Sequence, residues 1–211
     1  MLRYSVTKSR LGDGCDSGPC NSVGMTDLTS LTPVERHRAV AATFAEVTRS
    51  IADWDAQTPV PAWRARDVVS HLVRWLPDFL AANGVELIGA PANAVAPAEA
   101  FGLLAAAVQG LLESPDADRI VSTEMMGDLP VKVLVDRFYT ADLFMHTWDL
   151  ARSNGIRAEL DPAFAAQLHT GLAAMGEALR HSGHYGPPIT PPADADEVLS
   201  LMAFIGRDPA F

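Results

Sequence analysis

The run FYTADLFMHTWDL, residues 138–150, places Asp142, His146 and Asp149 among Phe, Tyr, Met and Leu. At about 100° per residue the three fall within a sector of about 60° on a helix. Val131, Val135, Phe138 and Tyr139 share that sector, so it is the apolar stripe rather than the wet face. Ionisable groups buried there are expensive unless they are paired or bind a metal. Two chemistries answer that cost. One is an Asp–His hydrogen-bond network with no metal; the other is a cation gripped by ligands at i and i+4. In the second, Asp149 accepts the free ring N–H of a ligating histidine. Alternatively, Asp149 pairs with Arg152 at the helix surface.

His71, in DVVSHLV, offers a third donor from another helix. Its sector is mixed, holding Arg64, Asp67, Trp75 and Asp78 beside Val68, so alone it also reads as a half-exposed histidine. His71, Asp142 and His146 together form a His2Asp set. Three protein ligands with an open position is the pattern of catalytic zinc, and the same set suits a 2-His-1-carboxylate iron site. Trp75 and Asp78 share the His71 face and are candidates to line the cavity, with core packing the other reading of Trp75. Tyr139 is either a donor to a developing anion or a packed aromatic. Arg180, His184 and Arg207 are the weaker candidates for binding a substrate, the arginines through its carboxylates. His37 continues the apolar seam of its helix, and His169 lies off the apolar phase and reads as solvated.

The elements that must position these groups are helical. Thr32-Pro33-Val34-Glu35 is a helix start, with an N-cap Thr, Pro at the first helical position and Glu at the third. Val40, Phe44, Val47, Ile51 and Trp54 continue it as a bundle seam. After the Pro-bearing loop 55–63, a second helix runs from about Arg66 to Ala82, with Pro77 expected to kink it. A third carries Phe101, Leu104, Val108 and Leu111 on one face and closes at Ser114-Pro115. IVSTEMMGDLPV, residues 120–131, reads as a short β-hairpin. The longest helical pattern runs from Val131 to Ser153 and ends at Asn154-Gly155. Asp161-Pro162 starts a fifth helix through Phe164, Leu168, Met175 and Leu179 to Gly183. After a Pro-rich connection, a last short helix, EVLSLMAFI, ends at Gly206. The expected fold is all-α: a four-helix bundle with a hairpin and extra C-terminal helices.

The chain has 211 residues, 48% of them hydrophobic and 20% charged, enough for one sizeable core over residues 25–211. With 16 Lys and Arg against 26 Asp and Glu, the net charge of −10 repels phosphate backbones and argues against nucleic acid. No apolar run has membrane-spanning length. Both cysteines, Cys15 and Cys20, fall in residues 1–24, a Gly-, Ser- and Asp-bearing stretch that reads as a disordered tail without a signal-peptide core. Met25 is an alternative start. A body without cysteine fits the cytoplasm and excludes a cysteine nucleophile there. Phe144 and Trp148, on the face opposite the polar trio, call for a second covering surface, another helix or a homodimer partner.

DVVSHLV, followed later by D-x3-H-x-WDLA, resembles the DinB-like metal-binding superfamily. The closer likeness is to its actinobacterial branch, the mycothiol-dependent maleylpyruvate isomerase N-terminal domain. The resemblance extends through PVPAWRARDVVSHLVRWLPDFL, FMHTWDLAR, LDP, SGHYGPP and IGRDP, from Thr32 to the end. It implies a four-helix bundle holding a divalent metal, zinc first and nickel or iron next, with His71, Asp142 and His146 as ligands. It also implies a low-molecular-weight thiol, mycothiol, as cosubstrate or cofactor, and a small-molecule electrophile as its partner. Isomerisation or S-transfer through a metal-activated thiolate is then the expected reaction. The alternatives are a non-catalytic metal- or ligand-binding bundle and a metal-dependent hydrolase. The chain departs from the isomerase in having Asp142 where that enzyme has Glu, and in having no room for its further C-terminal domain.

Overall fold

A computed structural model describes residues 27–91, 95–123, 127–181 and 185–211, without the side chains of residues 178 and 180. The expected tail, both cysteines and Met25 lie outside the described residues, as does His184.

Helix α1, Pro33–Ser50, begins as its sequence dictates. The Glu35 carboxylate accepts from the Thr32 backbone N–H at 3.0 Å, and Thr32 Oγ1 accepts from the Glu35 N–H. Val40, Phe44 and Val47 are buried along it. The helix stops at Ser50, so Ile51 is its C-cap and Trp54 sits in the following loop, both half-buried. That loop is tied by its own side chains. The Gln57 amide donates to the carbonyls of Val60, Pro61 and Trp63, and the Thr58 hydroxyl donates to Trp63 O at 2.9 Å. Helix α2, Ala65–Ala82, remains a single helix across Pro77 and buries Val68, Val69, Leu72, Leu76 and Leu80. Helix α3, Pro97–Leu112, presents Phe101, Leu104, Val108 and Leu111 to the core. Phe44 and Phe101 meet at 4.3 Å between ring centroids, joining α1 to α3.

Strands β1, Ile120–Thr123, and β2, Gly127–Pro130, pair antiparallel from Ile120 opposite Pro130 to Thr123 opposite Gly127. The helix expected over Val131–Ser153 is present in three continuous parts: α4 at Val131–Leu134, a π-helical stretch at Val135–Thr140, and α5 at Ala141–Ser153. Helices α1 and α2 both pack on α3 and α5, which makes the four-helix bundle.

The expected fifth helix is broken. Helix α6, Pro162–Ala174, gives way at Met175-Gly176, where Gly176 has φ of 55°, and α7 resumes at Glu177–His181. A positive φ is disfavoured for residues with a Cβ, so this glycine is a helix stop inside an otherwise helical pattern. Helix α8, Glu197–Phe204, packs against α6. Phe144 meets Phe164 edge-on at 5.1 Å, so α6 is the cover that the Phe144 face required. Buried apolar residues from Leu28 to Ile205 form one contiguous cluster. Among the described residues, no helix is long and apolar enough to cross a membrane.

Candidate metal centre

Helix α5 turns one face wholly inward. His146 is 4% exposed and Asp149 has no exposure, while Asp142 is half-buried at the edge of the core. Opposite it, α2 brings His71 to the same point. His71 Nε2 lies 3.1 Å from Asp142 Oδ2, and His146 Nε2 lies 3.4 Å from Asp142 Oδ1. The carboxylate thus sits between two imidazoles. One donor atom from each of the three residues falls within 4.8 Å of the other two.

The outer partners of Asp142 and His146 are defined. Trp75, one turn beyond His71, donates its indole N–H to Asp142 Oδ2 at 3.0 Å. His146 Nδ1 lies 2.9 Å from Asp149 Oδ2. Asp149 in turn accepts from Arg207 Nε at 3.0 Å and from a terminal nitrogen of the same guanidinium at 3.0 Å. An ionised carboxylate only accepts, so the His146 Nδ1 carries the proton. Its Nε2 then faces a second acceptor, Asp142 Oδ1. Two lone pairs at 3.4 Å repel unless a cation, a proton or a metal ion, sits with them.

The electrostatics follow from that arrangement. Burial alone would raise the Asp142 pKa, but His146, His71 and the Trp75 N–H hold it below the usual carboxylate value. Burial alone would lower that of His146, and the carboxylates of Asp142 and Asp149 outweigh it, leaving the imidazole more basic than usual. Asp149, pushed up by burial, is held down by His146 and Arg207.

Aromatic rings wall the site. Trp63 stacks 4.8 Å from the His71 ring and 5.3 Å from the His146 ring. It arrives from the loop before α2, held there by the Gln57 and Thr58 hydrogen bonds. Tyr185 is half-buried within reach of the Asp142 and Arg207 charges, and burial followed by Asp142 pushes its phenol up to about 12. Neither residue belongs to a helix, so helical phase could not select them.

The remaining candidates fall elsewhere. Asp78 is exposed and lines a surface depression of about 420 Å³ with Pro77, Ala81 and Glu86, which includes none of the three donors. Tyr139 is fully buried, packs tilted against Trp75 at 5.9 Å between ring centroids, and has no hydrogen-bond partner for its hydroxyl among the described residues. Burial and the nearby Asp142 both raise its pKa. Arg207, expected as a substrate-binding cation, is 8% exposed with its guanidinium turned onto Asp149. That contact also displaces the Arg152 pairing considered for Asp149. Arg180 and His184 lie outside what is described of side chains. His169, read as solvated, is half-buried against Phe204 at 4.6 Å. His37 is fully buried, with Nδ1 2.8 Å from Gln109 Oε1.

The sequence pattern of the mycothiol maleylpyruvate isomerase N-terminal domain matches residues 35–151, more than half of the chain and all three donors. The chain belongs to that family. Two uncharacterized proteins of Mycobacterium tuberculosis, from strains CDC 1551 / Oshkosh and ATCC 25618 / H37Rv, are each 28% identical to it over 193 residues, covering 84% of this chain and 98% of the relative. No solved structure matches significantly. For a mycothiol maleylpyruvate isomerase N-terminal domain protein, a metal fits the residues present. Two imidazole nitrogens and a carboxylate oxygen converge, the far ring nitrogen of His146 and one Asp142 oxygen are already hydrogen-bonded, and the facing lone pairs of His146 and Asp142 need a cation.

Proposed function

We propose that this protein binds one divalent cation, zinc first among the choices, at His71, Asp142 and His146, and uses it with a low-molecular-weight thiol. The reaction class is isomerisation of, or sulfur transfer to, a small electrophile, with mycothiol as the thiol that the family's name indicates. The observation carrying this reading is the convergence of two histidines and one aspartate from two bundle helices beneath an indole. When bound, zinc favours thiolate over thiol and so supplies a nucleophile at neutral pH.

The chain's own residues do the rest. Trp63 and Trp75 keep bulk water from the donors and offer flat apolar surface to an unsaturated substrate. The Trp75 N–H fixes one Asp142 oxygen, leaving the carboxylate no freedom to rotate away. Tyr185 holds its proton at neutral pH, so it can donate a hydrogen bond to an oxygen gaining charge as the S–C bond forms. In isomerisation the S–C bond that forms later breaks, and the thiol is recovered. In S-transfer the leaving group departs with the bonding pair and the thiol proton goes to solvent.

The test is elemental analysis of protein purified without added metal, beside His146→Ala. About one equivalent of zinc, nickel or iron in the wild type and none in the variant supports the site. A wild type that is empty and refuses added zinc removes the chemical basis of the proposal. Cobalt substitution then tests the thiol: a sulfur-to-metal absorption band on adding a small thiol is expected, and an unchanged spectrum rejects thiol use.

A further inference from the structure

Nothing in a bundle requires an arginine from beyond its last helix to enter the core, yet Arg207 does so. Its backbone N–H bonds Met202 O at 2.9 Å, closing the C-terminal turn of α8. Gly206, just before it, has φ of 88°, and a Cβ there would lie 2.7 Å from Gly186 Cα. Gly186 N–H in turn donates to Ile205 O at 3.2 Å. Two chain segments therefore cross at backbone contact, and position 206 permits it only without a side chain. From this joint the Arg207 guanidinium reaches Asp149 with two nitrogens, and Asp149 Oδ2 reaches His146 Nδ1.

The structure assigns Arg207 as a positioning residue: acting through Asp149, it fixes the tautomer and ring orientation of His146 so that Nε2 is presented to Asp142 and His71. The zinc part of this inference rests on the proposed metal reading; the tautomer part does not. A fully buried Asp149 with only His146 to hold it could rotate or take the imidazole proton. With both oxygens occupied by the planar guanidinium, Asp149 is neutralised and immobile, and the Nδ1 proton stays on the ring. Outer partners of this kind are typically worth about 10–100-fold in metal affinity. Lysine at 207 would restore the charge but not the two-point geometry.

Two readouts test it: the His146 tautomer by long-range ¹H–¹⁵N correlation on metal-free protein above the titration of His146, and zinc affinity by competition with a chromophoric chelator. The wild type is expected to show Nδ1–H. Arg207→Gln should lose that single tautomer and bind zinc about 10–100-fold more weakly with its helix content intact. Arg207→Lys should recover part of both. An Nε2–H wild type overturns the assignment, and so does an Arg207→Gln protein that keeps both tautomer and affinity. Should Arg207→Gln fail to fold, the wild-type tautomer and Arg207→Lys decide: an unaltered Arg207→Lys overturns it. A wild type with the Nδ1–H tautomer that takes up no zinc removes the metal proposal and leaves the Arg207 assignment standing.

Discussion

At the scale of single residues, the site is a carboxylate whose two oxygens each have an assigned neighbour. Asp142 faces His71, His146 and the Trp75 N–H, and the last of these is the most economical to remove. Trp75→Phe keeps an aromatic ring beside Tyr139 and Phe79 while removing the indole N–H and the five-membered ring that carries it. We expect zinc affinity to fall about 10-fold with little change in thermal stability of the metal-free protein. Chelator competition would measure it, and unchanged affinity would show that the indole is packing only. The meeting of Asp142 and His146 was legible in the sequence because i,i+4 spacing puts both on one apolar stripe, a spacing that describes a metal-free hydrogen-bond network as well as a pair of ligands. Asp149 was legible as their neighbour for the same reason. Arg207 was not. Its pairing with Asp149 spans 58 residues, and no spacing rule connects a loop arginine to a helical carboxylate. Trp63 and Tyr185 escaped for a related cause: each is placed by loop hydrogen bonds and backbone crossings rather than by helical phase.

At the scale of elements, the π-helical stretch Val135–Thr140 is the feature most tied to the site, since Asp142 begins two residues beyond it. A π turn accommodates one more residue than an α turn, so it shifts the faces on its two sides relative to each other. Val131, Leu134, Val135 and Tyr139 are buried upstream of the shift, and Asp142 and His146 are aimed at α2 downstream. Deleting Thr140 should remove that extra residue, restore an uninterrupted α ladder and leave the two flanks close to their present relative orientation. The expected result is a helical circular-dichroism signal close to wild type with zinc uptake retained. Loss of uptake by a deletion protein that keeps its helix content would mean that the π stretch itself aims the donors. Val131–Ser153 contains neither glycine nor proline, so nothing in the sequence marks the π stretch, which is why the segment presented itself as a single α-helix. The start of α1, by contrast, was fully legible, because a capping box is local chemistry between adjacent residues.

At the scale of the whole molecule, stability must respond to pH through histidines of opposite sign. Burial first, then Arg38, depresses the His37 pKa against the pull of Gln109. Below about pH 6.5 the unfolded chain therefore takes up a proton that the folded protein refuses, and stability falls as pH drops. His146, with its pKa raised, acts the other way: its stabilisation is complete below about pH 6.5 and is lost as pH rises through its folded value. His37→Gln should flatten the acid-side loss of metal-free protein by up to about 1.4 kcal/mol per pH unit. Urea unfolding at several pH values below 6.5 would show it, and parallel curves for wild type and variant would count against the assignment. The two indoles nearest the donors have a practical consequence of another kind. Trp63 lies over both imidazoles and Trp75 is bonded to the carboxylate between them, while Trp54 and Trp148 have no part in the donor set. The intrinsic fluorescence of the protein should therefore change when an ion enters, and copper or nickel should quench the emission of Trp63 and Trp75 most strongly.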